Sequence, residues 1–256
     1  MEQKMIKSLK KIKSKISRDY SLYKCKKNQD GKTIWLSLGE NCLPDDVLRR
    51  FYLKSYSSLF ASGRSNIDYI LNMHENDYNG LLDRKHVVYG KIGDENVLRS
   101  SIYNTCERFY HEMHLNGFEF THHDWLKKPE LKHTLERRIM RMKSEIGKFD
   151  ISFLYLHRIS ENSNIEEIKS RLLKLSKLFS KDGHKCTVIF FYQKIVSNKK
   201  ERKLVIRSEE LPILEYELHT LNLWEGNNQR IFWGKKDNDL LKKMLKNAKK
   251  KLCIKK

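Results

Sequence analysis

Thr33-Ile34-Trp35-Leu36-Ser37-Leu38-Gly39-Glu40-Asn41-Cys42-Leu43-Pro44-Asp45-Asp46-Val47-Leu48 is the stretch on which the rest of the chain is organised. An apolar, strand-like run stops at a glycine, a polar pair and a cysteine follow, and Pro44 with two aspartates opens a helical pattern. The reading is strand, tight turn, helix start, with a thiol at the turn. Such a cysteine sits beside unpaired backbone N–H groups and the positive end of a helix dipole, a setting that lowers a thiol's pKa and makes a nucleophile. Cysteine is also among the most buried residue types, so the geometry is equally that of an inert core thiol.

Working outward, Ile151–Leu156 and Thr187–Tyr192 are apolar throughout, as strands buried on both faces are. Helical spacing places helices over Pro44–Lys54 and Ile67–Leu82. It also marks Leu131, Leu135, Ile139 and Met142 in one helix, and Ile165, Ile168, Leu172, Leu175 and Phe179 in another, which Gly183 ends. Ser55–Asn66 reads as a loop, the segment from Gly90 and Gly93 to Ser101 as irregular, and Phe118–Thr121 as a short strand. Weaker strands are predicted at Leu204–Arg207, Ile213–Leu218 and Arg230–Trp233, before a final basic helix. Strands alternating with helices predict an α/β fold, a mainly parallel sheet flanked by helices on both faces. The expected division is a basic N-terminal helix over 1–27 and a single α/β domain over 28–256, with basic amphipathic helices at both ends.

The net charge of +20 raises nucleic acid as a partner, so its distribution matters. Residues 1–27 hold 10 Lys/Arg against 2 Asp/Glu, and residues 235–256 hold 10 against 2, so the body between them carries only +4. Aromatics are not interleaved with the basic runs as stacking platforms require, and nucleic acid is disfavoured. The stripes Met5, Leu9, Ile12, Ile16 and Leu241, Leu245, Ala248, Leu252 suit packing on the domain or an anionic membrane surface. No apolar run approaches the roughly 20 residues of a membrane span, and Met1–Lys15 is not a secretory signal. Five scattered cysteines without a CxxC pair argue against a disulfide framework and a structural zinc site. A cytoplasmic protein is expected, with attachment to the inner face of the membrane through its basic ends as the further option.

In parallel α/β sheets reactive groups gather at the C-terminal ends of strands. Gly39, Asn41 and Cys42 sit at one such end, His122, His123 and Asp124 at a second, and His157 and Arg158 at a third. A thiol nucleophile needs an imidazole within hydrogen-bond reach and a third group to orient it. If 121–124 is extended, His122 and Asp124 share one side and His123 faces the other. Either histidine is then a candidate base. The Cys42 and Leu43 N–H groups, with the Asn41 amide, are candidate oxyanion donors. Arg49-Arg50, Arg137-Arg138 and Arg158 are candidates for holding a substrate carboxylate or phosphate, against the common reading of solvated helix faces. His111-Glu112-Met113-His114 is not the HExxH spacing, and Gly39 belongs to no nucleotide-binding glycine pattern, so neither metal nor cofactor is expected.

Ser37-Leu38-Gly39-Glu40-Asn41-Cys42, then Leu48-Arg49-Arg50, and later Phe120-Thr121-His122-His123-Asp124 ahead of Arg137-Arg138, resemble a bacterial family of unknown function labelled papain-like cysteine peptidases. The resemblance covers most of 33–234, and the S-L-G-x-N-C block is its specific part. It implies Cys42 as nucleophile and His123, just before Asp124, as the matching histidine. Two blocks depart from the family pattern: Leu59-Phe60-Ala61-Ser62-Gly63-Arg64 stands where relatives have P-F-D-W, and Trp233-Gly234-Lys235-Lys236 where they have W-G-D. A papain-like domain sets its cysteine helix on an antiparallel sheet. The alternation here implies a Rossmann-like or SGNH-like outline instead, that of SGNH-type esterases and acyltransferases. Members of the family are similar to proteins encoded beside surface-glycan assembly genes, which implies acyl or ester chemistry on a saccharide as well as peptide cleavage. A non-catalytic glycan-binding or membrane-peripheral scaffold is the competing function.

Overall fold

The opening strand β1 (Thr33–Gly39) alternates its side chains: Ile34, Leu36 and Leu38 enter one apolar cluster and Trp35 the other. The same split recurs in β5 (Asp150–His157), where Phe153 and Tyr155 face the first cluster and Leu154 and Leu156 the second. A strand apolar on both faces must be covered on both. The computed structural model, which describes residues 20, 23–25 and 27–253, shows that arrangement.

A five-stranded sheet runs β1-β5-β6-β8-β7, with β6 at Cys186–Ile195, β7 at Lys203–Ser208 and β8 at Ile213–Thr220. β1, β5, β6 and β8 are mutually parallel, and β7 closes the far edge antiparallel to β8. One face is covered by α2 (Ile67–Glu75), α3 (Pro129–Glu145) and α4 (Ile165–Phe179), the other by α1 (Leu43–Arg50) and α6 (Asn238–Cys253). Leu241, Leu245 and Ala248 of α6 are buried against the sheet, so that stripe is a packing face. The expected N-terminal helix over 1–27 lies outside the described residues except at 20, 23–25 and 27. No helix among the described residues is long and apolar enough to cross a membrane.

Four predicted segments differ. The irregular stretch near Gly90 is a hairpin, β2 (Val87–Ile92) and β3 (Glu95–Ser100), which with β4 (Glu119–Phe120) forms a second, antiparallel sheet. Its two-residue Gly93-Asp94 turn, with Gly93 at φ +56°, is a hairpin connection masked in the sequence by the mostly solvent-facing β2. The expected Arg230–Trp233 strand is instead a helical turn, α5 (Gln229–Phe232). Asn228 caps it by accepting from the Arg230 and Ile231 N–H groups, and Gly234 ends it at φ +58°. The helix expected to reach Leu82 stops at Glu75, because Asp77 and Tyr78 turn left-handed at φ 55° and 61°. Finally, the strand at 118–121 is only two residues long, and the chain turns at Thr121-His122 before extending.

Candidate active site

Gly39 ends β1 at φ +130°, and a Cβ there would meet the Leu156 carbonyl oxygen at 2.9 Å. Only glycine lets β1 bend this close to β5, so its place in the site is to shape the turn. Glu40 then points into the protein, fully buried. Its Oε1 accepts from His157 Nδ1 at 2.6 Å and Tyr155 Oη at 3.2 Å, and its Oε2 accepts from the Arg158 N–H at 2.8 Å. His114 Nε2 lies 3.8 Å from Oε2. Burial pushes the Glu40 carboxyl up, but His157, His114 and the Arg158 N–H outweigh burial and hold it below its ordinary value. His157 Nε2 meets Ser163 Oγ at 2.8 Å, and that oxygen also accepts from the Ser160 N–H at 2.9 Å. The relay Glu40–His157–Ser163 therefore ties the end of β1 to the loop after β5.

Asn41 turns the other way and accepts the Leu43 N–H at 2.9 Å, while Cys42 becomes the N-cap of α1, its carbonyl taking the Asp46 N–H at 3.1 Å. The Leu43 N–H expected as an oxyanion donor is thus already occupied, and the Cys42 N–H and the Asn41 NH₂ are the donors this turn still offers. Cys42 lines a cleft of about 200 Å³ with Arg64, Thr121 and His122. The hairpin end at Glu95–Val97 forms one wall of that cleft, and Phe232 and Trp233 form another. The thiol's pKa is raised, contrary to the lowering its helix N-terminus implied. Burial is the largest cause and Asp45 adds to it, while the Thr121 hydrogen bond, Arg64 and Lys54 pull the other way without prevailing.

The two histidines part company at the Thr121-His122 turn. His122 is exposed and faces the cleft with Cys42. His123 is buried, and its Nε2 lies 3.3 Å from Arg138 Nη1, which makes the ring an acceptor for the guanidinium. Burial, reinforced by Arg138 and His122, drives the His123 pKa down to about 4. Asp124 bonds neither imidazole: it accepts from Tyr89 Oη at 3.2 Å and pairs with Lys127 at 3.2 Å. The alternation that paired it with His122 assumed extended backbone, and the turn removes that premise.

The arginines are likewise distributed. Arg49 is an exposed partner of Asp46 at 2.6 Å, and Arg50 pairs with Asp46 while donating to Asn238 Oδ1 at 2.5 Å and the Trp233 carbonyl at 2.7 Å. Neither lines the cleft, although Arg50 holds in place the segment whose tryptophan does. Arg158 reaches Glu225 at 2.9 Å and Met113 Sδ at 2.9 Å. The cationic group on the Cys42 cleft is Arg64, the lone charged residue between Ser55 and Asn66, which a reading for isolated charges in neutral loops would have found. Burial lowers its pKa although Glu119, 3.6 Å away, opposes this. Thr121 and Trp233 carried no such signal.

A family model described as "Putative papain-like cysteine peptidase (DUF1796)" matches residues 33–192, more than half of the 256 residues. The chain belongs to this family. Searches of curated proteins and of solved structures found no match. The span shared with the family holds the turn at Cys42, Arg64, both histidines and the Glu40–His157 pair, and it ends at Tyr192 within β6, ahead of Trp233. In this member the cysteine stands at the end of a parallel strand and the start of a helix.

Proposed function

We propose that the protein is a cysteine-dependent hydrolase or acyltransferase in which Cys42 is the nucleophile. The observation that carries this reading is the placement of Cys42 at the N-terminus of α1, on an open cleft shared with His122 and Arg64. Because burial keeps the resting sulfur protonated, the chemistry is general-base assisted rather than that of a preformed thiolate. As the sulfur attacks an acyl carbon, its proton passes to His122, and the carbonyl's electron pair moves onto oxygen. The Cys42 N–H, the Asn41 amide and the Arg64 guanidinium offer donors for that oxyanion. Collapse expels the leaving group, protonated by His122, and leaves an acyl-cysteine thioester. Water completes hydrolysis, or a sugar hydroxyl completes transfer. Peptide and acylated saccharide are the substrate classes this reading carries forward, in a cytoplasmic protein without a cofactor that the basic ends bring to an anionic membrane.

The test uses a generic acyl donor. After incubation with a p-nitrophenyl acyl ester, peptide mass spectrometry should find the acyl mass on Cys42 and lose it on addition of hydroxylamine. Substitution His122→Gln should slow its appearance. Acylation confined to other cysteines would remove Cys42 as nucleophile.

A further inference from the structure

On the α3 side of the His122-His123 turn lies a second concavity, of about 260 Å³, formed by Arg137, Arg138 and Arg141 with Ser57 and Thr134. Its charge is unbalanced. Among the described residues none of the three guanidinium groups makes an ion pair with a carboxylate. Arg137 bonds Thr134 Oγ1 at 3.3 Å, Arg138 bonds the His123 ring, and Arg141 stacks over Tyr56 at 5.0 Å. Of the nearby acids, Asp45 is engaged by Lys54 at 2.8 Å and Ser37 at 3.1 Å, while Glu145 lies against Tyr56 with its Oε2 buried and unbonded, and neither pairs with a guanidinium of the pocket. Arg138 is half-buried, so its charge is not simply relieved by water; its pKa is lowered by burial and by Arg137, against the pull of Asp45.

Three guanidinium groups at i, i+1 and i+4 of one helix, converging on a concave surface with two hydroxyls, outnumber what a single carboxylate can satisfy. They match a tetrahedral, multiply charged oxyanion. We infer that this pocket binds the phosphate or diphosphate group of a soluble ligand, with Arg137, Arg138 and Arg141 as its donors. The inference does not depend on the role of Cys42. It explains why a histidine is packed on an arginine with no acid between them: the missing negative charge arrives with the ligand.

Because both ends of the chain are basic, the test needs a local readout. Inorganic pyrophosphate is titrated into the full-length protein and followed by calorimetry and by histidine-ring NMR. Saturable one-site binding is expected, with the His123 pKa rising from about 4 towards the ordinary value near 6.5 as the bound anion offsets Arg138. The double substitution Arg137→Gln/Arg138→Gln should weaken binding by at least ~10-fold. Lys242→Gln/Lys243→Gln, which removes the same charge from the exposed face of α6, should leave it unchanged. Equal weakening by both pairs, no weakening by the arginine pair, or an unmoved His123 resonance would overturn the inference. If the arginine double variant does not fold, Arg137→Gln alone, at an exposed position, serves in its place. Phosphatidylglycerol vesicles that shifted the His123 resonance as pyrophosphate does would overturn the soluble-ligand assignment.

Discussion

Glu40 and Cys42 stand two residues apart on one turn and live in opposite surroundings. Glu40 is wholly buried and its carboxylate is met by Tyr155, His157 and the Arg158 N–H, whereas Cys42 opens on a cleft where its side-chain hydrogen-bond partner is Thr121. The same contrast separates the two histidines, one turned into the Arg138 contact and one into the cleft. A saturated network has one low-energy arrangement and holds backbone in place, and a sparsely bonded group beside it is free to react. The turn therefore divides into a buried, fully bonded half and a half that opens on the cleft.

The comparison breaks most visibly at Cys42. Cys42→Ala should lower kcat/KM on an activated acyl ester by on the order of 10³ or more while the thermal unfolding midpoint stays near that of the parent, a split that places the residue in chemistry alone. Glu40→Ala should behave in the reverse way. Removing Glu40 leaves the buried His157 Nδ1, Tyr155 Oη and Arg158 N–H without their acceptor, and at about 1–3 kcal/mol for each unsatisfied group a loss of several kcal/mol in denaturant unfolding is expected. His122→Gln should cost roughly 10²-fold in kcat with stability intact, and His123→Gln should not reproduce that kinetic loss; equal kinetic losses would collapse the distinction between them.

Smaller effects sharpen the picture. Because burial holds the Cys42 thiol protonated, alkylation of the ligand-free protein at neutral pH should be slower than that of a free cysteine, and Arg64→Gln, by removing a cation that favours the thiolate, should slow it by a further ~2–3-fold. Acid dependence follows from groups with the same sign, His123, Glu40 and the buried His114, whose folded pKa is about 3. His123 has a folded pKa of about 4 against roughly 6.5 unfolded, so the unfolded chain binds the extra proton between those values, and stability is complete above that window and declines as pH falls through it. Glu40, held below its ordinary value, adds stability above about pH 4.3 that is lost as pH falls further. Unfolding free energies measured from pH 7 to 3.5 should fall throughout, and Arg138→Gln should flatten the upper part by letting the His123 pKa rise.

Much of this was legible in the chain itself. The apolar runs at Ile151–Leu156 and Thr187–Tyr192 could only be strands covered on both faces, because each alternate side chain must find its own apolar partner, and the parallel sheet follows. The glycine, the polar pair and Pro44 marked the turn and the helix start, since those residue types govern backbone conformation locally. The hairpin at 87–100 escaped because β2 is mostly solvent-facing and neither strand holds a long hydrophobic period, and α5 because an Asn cap overrode the apolar run Ile231-Phe232-Trp233.

What the sequence determined by itself is the class of fold and the strand–turn–helix at Cys42. Which imidazole and which arginine share the cleft with the thiol, and which way its pKa moves, were decided by tertiary structure. The reason is physical: backbone conformation and apolar period are local properties, whereas a side chain's neighbours and its burial depend on elements far along the chain. Arg64 came to Cys42 through pairing with Glu119, and His123 came to Arg138 through the packing of α3.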